Sequence, residues 1–178
     1  MMLFRALLFV VFLCTGMVAS AAPLVSVGLG VIYEKSSDGR TIETRTPYAI
    51  GGGYRFSELD VHVEYSMFRA GDGESLVKVD REYHEFMLWA RRFFLPEWSV
   101  QPYAGAGIGL QFEKVETSFD QEVSRETGDP GAVYAAKAGM RFPLDRHFEA
   151  LIEGKVAVAA RYPSEPLWGL GAAAEIHF

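Results

Sequence analysis

The sequence predicts an all-β protein, an eight-stranded antiparallel up-and-down transmembrane β-barrel, from three observations. Apolar residues recur at every second position in eight segments, which is typical of strands with two different faces. The glycines of these segments lie on the same face as the charged residues. The connections between segments alternate between short and long. These features indicate a closed sheet with its charged face inside.

The first 22 residues have the layout of a secretory signal peptide. They contain one early cation, Arg5, an apolar run from Leu7 to Leu13, and small residues from Ala19 to Ala22. A run this short does not comfortably cross about 30 Å of hydrocarbon, which disfavours a retained helical anchor. We predict a signal peptide over residues 1–22, cleaved before Pro23, and a barrel over residues 23–178.

The first four predicted strands each have one apolar face. In the first three strands the apolar residues are Val25, Val27, Leu29, Val31 and Tyr33; Tyr48, Ile50, Tyr54 and Phe56; and Leu59, Val61, Val63, Tyr65 and Met67. The fourth strand, Tyr83 to Phe94, is ambiguous because Arg91 and Arg92 put one cation on each face. Its apolar set is taken to be Phe86, Leu88, Ala90 and Phe94.

The last four predicted strands follow the same alternation more regularly. Their apolar residues are Trp98, Val100, Ala104, Ala106, Ile108, Leu110 and Phe112; Tyr134, Ala136, Ala138, Met140 and Phe142; Phe148, Ala150, Ile152, Val156, Val158, Ala160 and Tyr162; and Trp168, Leu170, Ala172, Ala174, Ile176 and Phe178. Gly105, Gly107 and Gly109 lie within a strand, which excludes a phosphate-binding loop there, because that motif links a strand to a helix.

The position of the glycines decides which face is inside. A soluble eight-stranded barrel shows the same period, but its large apolar side chains point inward. The interior of such a small barrel is only wide enough for side chains to fill, so the inward set must include small residues. Here the glycines accompany the charges, and the apolar face is therefore predicted to contact lipid. Closure of the sheet is required because an open edge would leave backbone groups unpaired in hydrocarbon.

The connections and the aromatic residues indicate how the barrel is oriented. The turns near Ser57, Pro96 and Asp145 are short, whereas the opposite connections are mostly longer and polar, as in bacterial outer-membrane barrels. The longer connections are Lys35 to Thr44, Ala70 to Leu76, Val115 to Pro130 and Pro163 to Pro166. Aromatic residues fall at both ends of the apolar face, as expected at two membrane interfaces. The short turns and both termini are predicted to be periplasmic.

The stretch PYAGAGIGLQF, the further alternating strands and the terminal Phe178 resemble the small eight-stranded outer-membrane proteins of the OmpA/OmpX type. The resemblance covers residues 23–178, with no periplasmic domain after the barrel. It implies the outer membrane of a Gram-negative bacterium, contact with outer-membrane lipids and lipopolysaccharide, and recognition of the last strand, ending in Phe178, by the outer-membrane assembly machinery.

The charged residues of the predicted interior are expected to fill it with an interlocked network of ion pairs. They are Glu34, Arg55, Asp60, His62, Glu64, Glu113, Lys137, Arg141, Glu149, Glu153, Lys155, Arg161, Glu175 and His177. An ion path is the less favoured interpretation, because eight strands leave little continuous water. Asp60, His62, Glu64, Glu175 and His177 could ligate zinc, but inward alternation alone produces this spacing, so no metal site is predicted. No cofactor or catalytic residue is predicted either.

The preferred function is non-enzymatic: envelope structure, or surface interaction through the extracellular loops, by a monomer. One alternative is a lipid A-modifying enzyme with a lipid-facing triad of His84, Ser75 or Ser66, and Glu82 or Glu85. The other is a narrow passive channel for small or hydrophobic solutes.

A net charge of -6 gives no basis for a nucleic-acid partner. The single cysteine, Cys14, lies in the predicted signal peptide, so the mature chain has no disulfide.

Overall fold

The computed structural model describes residues 21–35, 42–72, 77–119, 122–160 and 166–178. These residues form ten antiparallel strands in one sheet. The strands are β1 (Ala21–Lys35), β2 (Ile42–Arg45), β3 (Tyr48–Phe56), β4 (Leu59–Asp72), β5 (Val77–Phe93), β6 (Gln101–Phe119), β7 (Glu122–Thr127), β8 (Gly131–Pro143), β9 (Phe148–Ala159) and β10 (Leu167–His177). Within this part of the chain no helix is long and apolar enough to cross a membrane.

The ten strands make an eight-stranded barrel, as predicted. The pairing of β10 with β1, from Leu24 opposite His177 to Tyr33 opposite Trp168, closes the sheet. β2 and β3 both pair with β1, and β7 and β8 both pair with β6, so each of these pairs is one barrel strand with an interruption. Pro47 and Pro130 immediately precede β3 and β8. Because proline has no backbone N–H to donate to a ladder, it favours these interruptions.

The facing of the side chains is also as predicted. Outward residues such as Val63, Ile108 and Ile152 are more than half exposed, whereas Asp60 and Glu175 inside the barrel are fully buried. The structure also settles the ambiguous strand β5, because Phe86 and Leu88 are exposed and Arg91 is buried. Ile176 is half-buried and points outward with the other apolar residues of β10. The alternative of a soluble barrel with an apolar interior is therefore excluded.

Ala21, where the described residues begin, and Phe178 lie at one end of the barrel, which we call the terminal end; the opposite end is the loop end. Ala21 pairs with Phe56 beside the turn at Ser57, and the turns between β5 and β6 and between β8 and β9 also lie at the terminal end. The backbone N–H of Phe178 donates to the carbonyl oxygen of Pro23 at 3.1 Å, which ties the end of the chain to β1. Residues 1–20, including most of the predicted signal peptide, lie outside the described residues.

Part of the segment predicted as a long loop is instead a β-ribbon. β6 continues to Phe119 and pairs with β7 from Lys114 opposite Thr127 to Phe119 opposite Glu122, so most of Val115 to Pro130 is strand. β1 and β4 likewise continue into segments predicted as loops, as far as Lys35 and Asp72. The prediction of loops in these segments was wrong because a strand that extends beyond the lipid needs no apolar face. The alternation of apolar residues therefore could not reveal these extensions. Residues 36–41, 73–76, 120–121 and 161–165 lie outside the described residues.

Replacing Gly53 with alanine is expected to lower the free energy of unfolding by about 1–3 kcal/mol through overpacking. A Cβ atom at Gly53 would lie 2.2 Å from the Val61 carbonyl oxygen and 2.5 Å from the His62 Cα atom. Urea unfolding in phospholipid vesicles measures the loss. Gly171→Ala is the matched control, because its Cβ would meet Leu29 only at 3.4 Å and Glu153 at 3.8 Å. Equal stability of the two variants would contradict the close approach at Gly53.

Candidate functional site

The terminal half of the barrel interior is filled by a cluster of buried ions. Arg91 Nη2 lies 2.7 Å from Asp60 Oδ2 and 2.6 Å from Glu175 Oε1. Arg55 also binds Asp60, at 2.7 Å, and reaches Glu149 Oε2 at 2.7 Å. The strands bring these residues together because inward positions of β3, β4, β5, β9 and β10 meet across a narrow barrel. This arrangement pairs every carboxylate named here with at least one guanidinium, as burial of charge requires.

An aromatic residue, Phe93, lies among the guanidinium groups of this cluster. The Arg141, Arg55 and Arg91 Cζ atoms are 4.1, 4.6 and 5.6 Å from the centre of its ring. Phe93 packs with Tyr103 and Leu151 in a small apolar cluster. Cations are attracted to aromatic faces most strongly where water is excluded. Phe93 and the ion pairs together plug the terminal half of the barrel.

A second group of ions occupies the middle of the barrel. Lys137 Nζ lies 3.3 Å from Glu64 Oε2 and 3.5 Å from Glu153 Oε2. The Tyr103 hydroxyl donates to Glu153 Oε2 at 2.5 Å, and Lys155 Nζ contacts Glu85 Oε1. These side chains come from inward positions of β4, β5, β6, β8 and β9. The predicted network of interior ion pairs is thus present, although it is divided into two groups, and Glu113 lies apart from both, beside Tyr83 and Arg81.

The interior also contains apolar residues that the sequence analysis did not identify. Trp89 is fully buried and packs in a cluster with Met87, Val133, Ala135 and Ala157. The Lys137 and Lys155 Nζ atoms lie 4.2 and 5.5 Å from the centre of the Trp89 ring. Alternation from the outward Phe86 and Leu88 would have located Met87 and Trp89, because successive residues of a strand point to opposite faces. The side chains of Glu34 and Arg161, also predicted to be interior, lie outside the described residues.

The carboxylates considered for a metal site are engaged by cationic side chains of the barrel. Asp60 and Glu175 are occupied by guanidinium groups, and Glu64 belongs to the middle group with Lys137. Ligand atoms of Glu149, Glu175 and His177 do lie within 4.8 Å of one another. Arg55, however, donates to both carboxylates of this trio, at 2.7 and 3.2 Å. A guanidinium in this position repels a metal cation and uses the same oxygens.

The triad considered for a lipid-facing enzyme is divided between the two faces of the barrel. Ser66 and Glu85 are buried inside, whereas His84 and Glu82 lie on the outer face. Ser75 lies outside the described residues. On the outer face His84 Nδ1 is 2.7 Å from the Tyr65 hydroxyl, and His84 Nε2 is 3.2 Å from Glu82 Oε1. Among the described residues, Tyr65 and not a serine is therefore the hydroxyl neighbour of His84.

A carboxylate organises the turn between β8 and β9 at the terminal end. Asp145 Oδ1 accepts hydrogen bonds from the backbone N–H of His147 at 2.6 Å and of Phe148 at 2.8 Å. These two backbone donors hold the pKa of the Asp145 carboxyl below its ordinary value of 3.8. Because the folded pKa is lower than the unfolded pKa, the stabilisation is complete above pH 3.8 and is lost as pH falls through the folded pKa.

We expect Asp145→Asn to make the acid side of the stability profile less steep. Asparagine keeps an acceptor oxygen for the turn but removes the proton uptake that accompanies unfolding below pH 3.8. The measurement is the urea unfolding midpoint between pH 2 and pH 7 for the variant and the parent protein. An identical acid slope in the two proteins would contradict the lowered pKa of Asp145.

Comparison with known proteins agrees with this fold. A family described as the outer membrane protein beta-barrel domain matches residues 6–160. The crystal structure of Neisserial surface protein A (NspA) is 17% identical, with a TM-score of 0.75, covering 89% of this chain and 99% of that chain. No curated protein sequence matches the chain.

Two further solved structures share the fold. Ail, the attachment invasion locus protein of Yersinia pestis, in complex with the heparin analogue sucrose octasulfate, is 16% identical with a TM-score of 0.64. The alignment covers 89% of this chain and 99% of that chain. The N-terminal β-barrel domain of Pseudomonas aeruginosa OprF is 16% identical with a TM-score of 0.54, covering 87% and 97% of the two chains. At these identities the likeness shows the fold alone.

Proposed function

The chain belongs to the outer membrane protein beta-barrel domain family, and from this premise we propose a non-enzymatic protein that serves envelope structure or surface interaction. Members of the family are barrels of the Gram-negative outer membrane. The observation that carries the proposal is the combination of a plugged interior with strands longer than a membrane requires. β5 has 17 residues and β6 has 19, whereas a spanning strand needs about 9–11.

The extra length of these strands supports a surface role. The ribbon of β6 and β7 extends past the barrel at the loop end, and the described side chains of β7 are exposed. Recognition residues are often found on such projections from a rigid scaffold. The names of NspA, a surface protein, and Ail, an attachment protein, agree with this proposal. The net charge of -6 favours a partner other than a polyanion such as the heparin analogue.

We further propose that both termini are periplasmic and that the β6–β7 ribbon is extracellular. The short turns lie at the terminal end, as in bacterial outer-membrane barrels, where periplasmic turns are short. Trypsin added to intact cells tests the orientation, because Arg125 in β7 has a 76% exposed side chain. Cleavage at Arg125 without permeabilisation is expected. Protection of the ribbon until the outer membrane is opened would contradict the proposed orientation.

The surface role itself is tested by shortening the ribbon. Residues 115–130 are replaced by a two-residue turn, and adhesion of cells to host or bacterial surfaces is compared with that of cells with the intact protein. Loss of adhesion, with normal heat-modifiable migration of the barrel, is expected.

The purified protein should also give no discrete conductance steps in planar bilayers, because the ions and Phe93 close the interior. Unchanged adhesion or steady conductance steps would each contradict the proposal.

The proposed partners are outer-membrane lipids and lipopolysaccharide along the outer face, and the assembly machinery at the last strand. Phe178 follows β10 and is 72% exposed, which is consistent with a ring at the membrane interface of the folded barrel. Phe178→Ala is expected to slow assembly in cells while leaving refolding in detergent intact. An unchanged assembly rate would argue against recognition of Phe178. The protein is proposed to be a monomer, since closure leaves no barrel edge for pairing.

A lipid A-modifying enzyme is the second candidate, and one observation favours it. On the outer face near the loop end, the Tyr65 hydroxyl lies within hydrogen-bond distance of His84 Nδ1, and Glu82 Oε1 lies 3.2 Å from His84 Nε2. His84 lies level with Met67 and Phe112, its register partners on both sides. The test compares lipid A mass profiles of cells with the parent protein and with His84→Ala. A mass change that requires His84 would overturn the non-enzymatic proposal.

A further inference from the structure

β7 is the outermost strand of a small sheet that continues past the barrel at the loop end. Asp72 of β4 pairs with Val79 of β5. Thr117 of β6 pairs with Val79 on one side and with Ser124 of β7 on the other. Four strands therefore lie side by side at this level. In the described part of the chain β7 pairs with β6 alone, and β9, the barrel strand beyond β8, ends at Ala159, so the far edge of β7 is open.

The hydrogen-bond pattern indicates which backbone groups point to this open edge. The N–H of Gly128 donates to the Glu113 carbonyl oxygen at 2.8 Å, so Gly128 is bonded toward β6. In an antiparallel ladder, successive residues alternate between bonding to the partner strand and pointing away from it. The alternation directs the N–H and carbonyl groups of Val123, Arg125 and Thr127 away from β6. Such a row of backbone groups is a template for one more strand.

β7 lacks the features that usually protect an edge strand. Edges are commonly blunted by proline, lysine or a bulge. The sequence of β7 contains neither proline nor lysine, and its register with β6 is continuous over all six residues. Residues 123–127 are exposed. The Arg125 side chain binds Glu116 of β6 at 2.9 Å, on the side away from the open edge.

The charge of the ribbon indicates which kind of strand would pair with this edge. Residues 113–129 include six acidic and two basic residues. On one face of β7 the charge of Arg125 is offset by Glu116, and Glu126 lies on the opposite face. Opposite charges on neighbouring strands are favourable, whereas like charges are unfavourable. A basic strand is therefore favoured, and pairing with the acidic ribbon of a second copy is disfavoured.

We propose that the open edge of β7 binds an extended basic segment of a partner protein by β-strand addition. This inference rests on the proposed surface function and names the chemistry of the partner. The backbone groups of Val123, Arg125 and Thr127 provide the pairing, and the side chains select the partner sequence. The favoured segment has Lys or Arg at alternate positions, opposite Ser124 and Glu126, with β-branched residues between them. β4, β5 and β6 hold β7 in place, so little ordering is required on binding.

The test uses the full chain refolded in a nonionic detergent and a fluorescent ten-residue peptide of alternating lysine and threonine. Saturable binding is expected by fluorescence anisotropy. The same peptide methylated at every backbone nitrogen keeps its charges but has no N–H donors, and it should not bind. A peptide of alternating glutamate and threonine should bind about tenfold more weakly, because its charges repel the ribbon. Equal binding of the methylated peptide, or no binding of the unmodified lysine peptide, would overturn the proposal.

Two substitutions at Val123 separate the backbone from the side chain. Val123→Pro removes an N–H that points away from β6, so the ribbon keeps its own hydrogen bonds while the open edge loses a donor. It should weaken binding of the lysine peptide about tenfold, from the lost donor and the added ring. Val123→Thr keeps the donor and should bind as the parent does. Equal binding by Val123→Pro and the parent would contradict pairing at this edge. The methylated peptide is tested on the parent protein, so it decides the question even if Val123→Pro disturbs the ribbon.

Adhesion of cells distinguishes this inference from the proposed function. Replacement of residues 115–130 by a short turn eliminates every binding mode of the ribbon, whereas Val123→Pro eliminates only pairing at the open edge. Loss of adhesion in both variants supports the inference. Loss in the shortened protein with normal adhesion in Val123→Pro would refute strand addition and leave the surface role standing. Normal adhesion in both would refute the surface role on which this inference rests.

Discussion

Replacing Arg91 with methionine is expected to lower the free energy of unfolding by about 3–5 kcal/mol, the usual cost of breaking a buried ion pair from one side. Arg91 contacts Asp60 at 2.7 Å and Glu175 at 2.6 Å, and all three side chains are buried. Methionine retains much of the volume but leaves two carboxylates sharing Arg55. Urea unfolding of the barrel in vesicles, followed by heat-modifiable migration on gels, measures the loss.

The matched control is the same substitution at Arg125. Arg125 Nε lies 2.9 Å from Glu116 Oε2, but its side chain is 76% exposed. Exposed ion pairs contribute about 0–1 kcal/mol, because water already solvates both charges. Arg125→Met should therefore leave the unfolding midpoint almost unchanged. Similar losses at Arg91 and Arg125 would mean that the interior ions are solvated by bulk water, and the plug would be rejected.

Replacing Val63 with arginine is expected to lower the free energy of unfolding from the membrane by about 2–4 kcal/mol, as for cations near the lipid midplane. Val63 lies on the outer face, near the middle of the ladder in which β4 pairs with β3, and its partner there is Gly52. The guanidinium must leave water for hydrocarbon or distort the bilayer around it. The measurement is the reversible urea unfolding curve in vesicles.

Val123→Arg is a control of equal exposure, because Val63 and Val123 are both 54% exposed. Val123 lies in β7, beyond the membrane-spanning part of β6, so the proposed environment of its side chain is water. Its replacement should change stability by less than about 0.5 kcal/mol, as is usual for surface substitutions. Equal effects at the two valines would show that the barrel exterior faces water throughout, and the inside-out arrangement would be abandoned.

Much of the barrel could be predicted because its strands repeat a local pattern. Val25, Val27 and Leu29 alternate with Ser26 and Gly28, and the structure places the first set outside. The alternation is a property of the strand itself and requires no knowledge of neighbours. The choice between inside and outside followed from the size of glycine, because only a narrow interior demands small residues on the charged face.

The strand extensions and the composition of the interior were less predictable. β7 has alternating small, charged and apolar residues but no apolar face, so its pairing with β6 is visible only in the coordinates. The enclosure of Phe93 by three guanidiniums depends on side chains from β3, β5 and β8 converging across the barrel. Sequence spacing within one strand does not contain that information.

The sequence by itself determined the strand pattern, the inside-out polarity and the closure of the barrel. Each of these depends on whether single residues along a strand are apolar or polar, because successive residues face lipid and interior in turn. Tertiary structure alone decided which charges pair. Arg55 and Glu149 are 94 positions apart in the chain, yet they are in contact because barrel register sets their level. It also decided that Ser66 lies inside while His84 lies outside beside Tyr65. Such partners are set by closure and stagger of the whole sheet, which no single segment encodes.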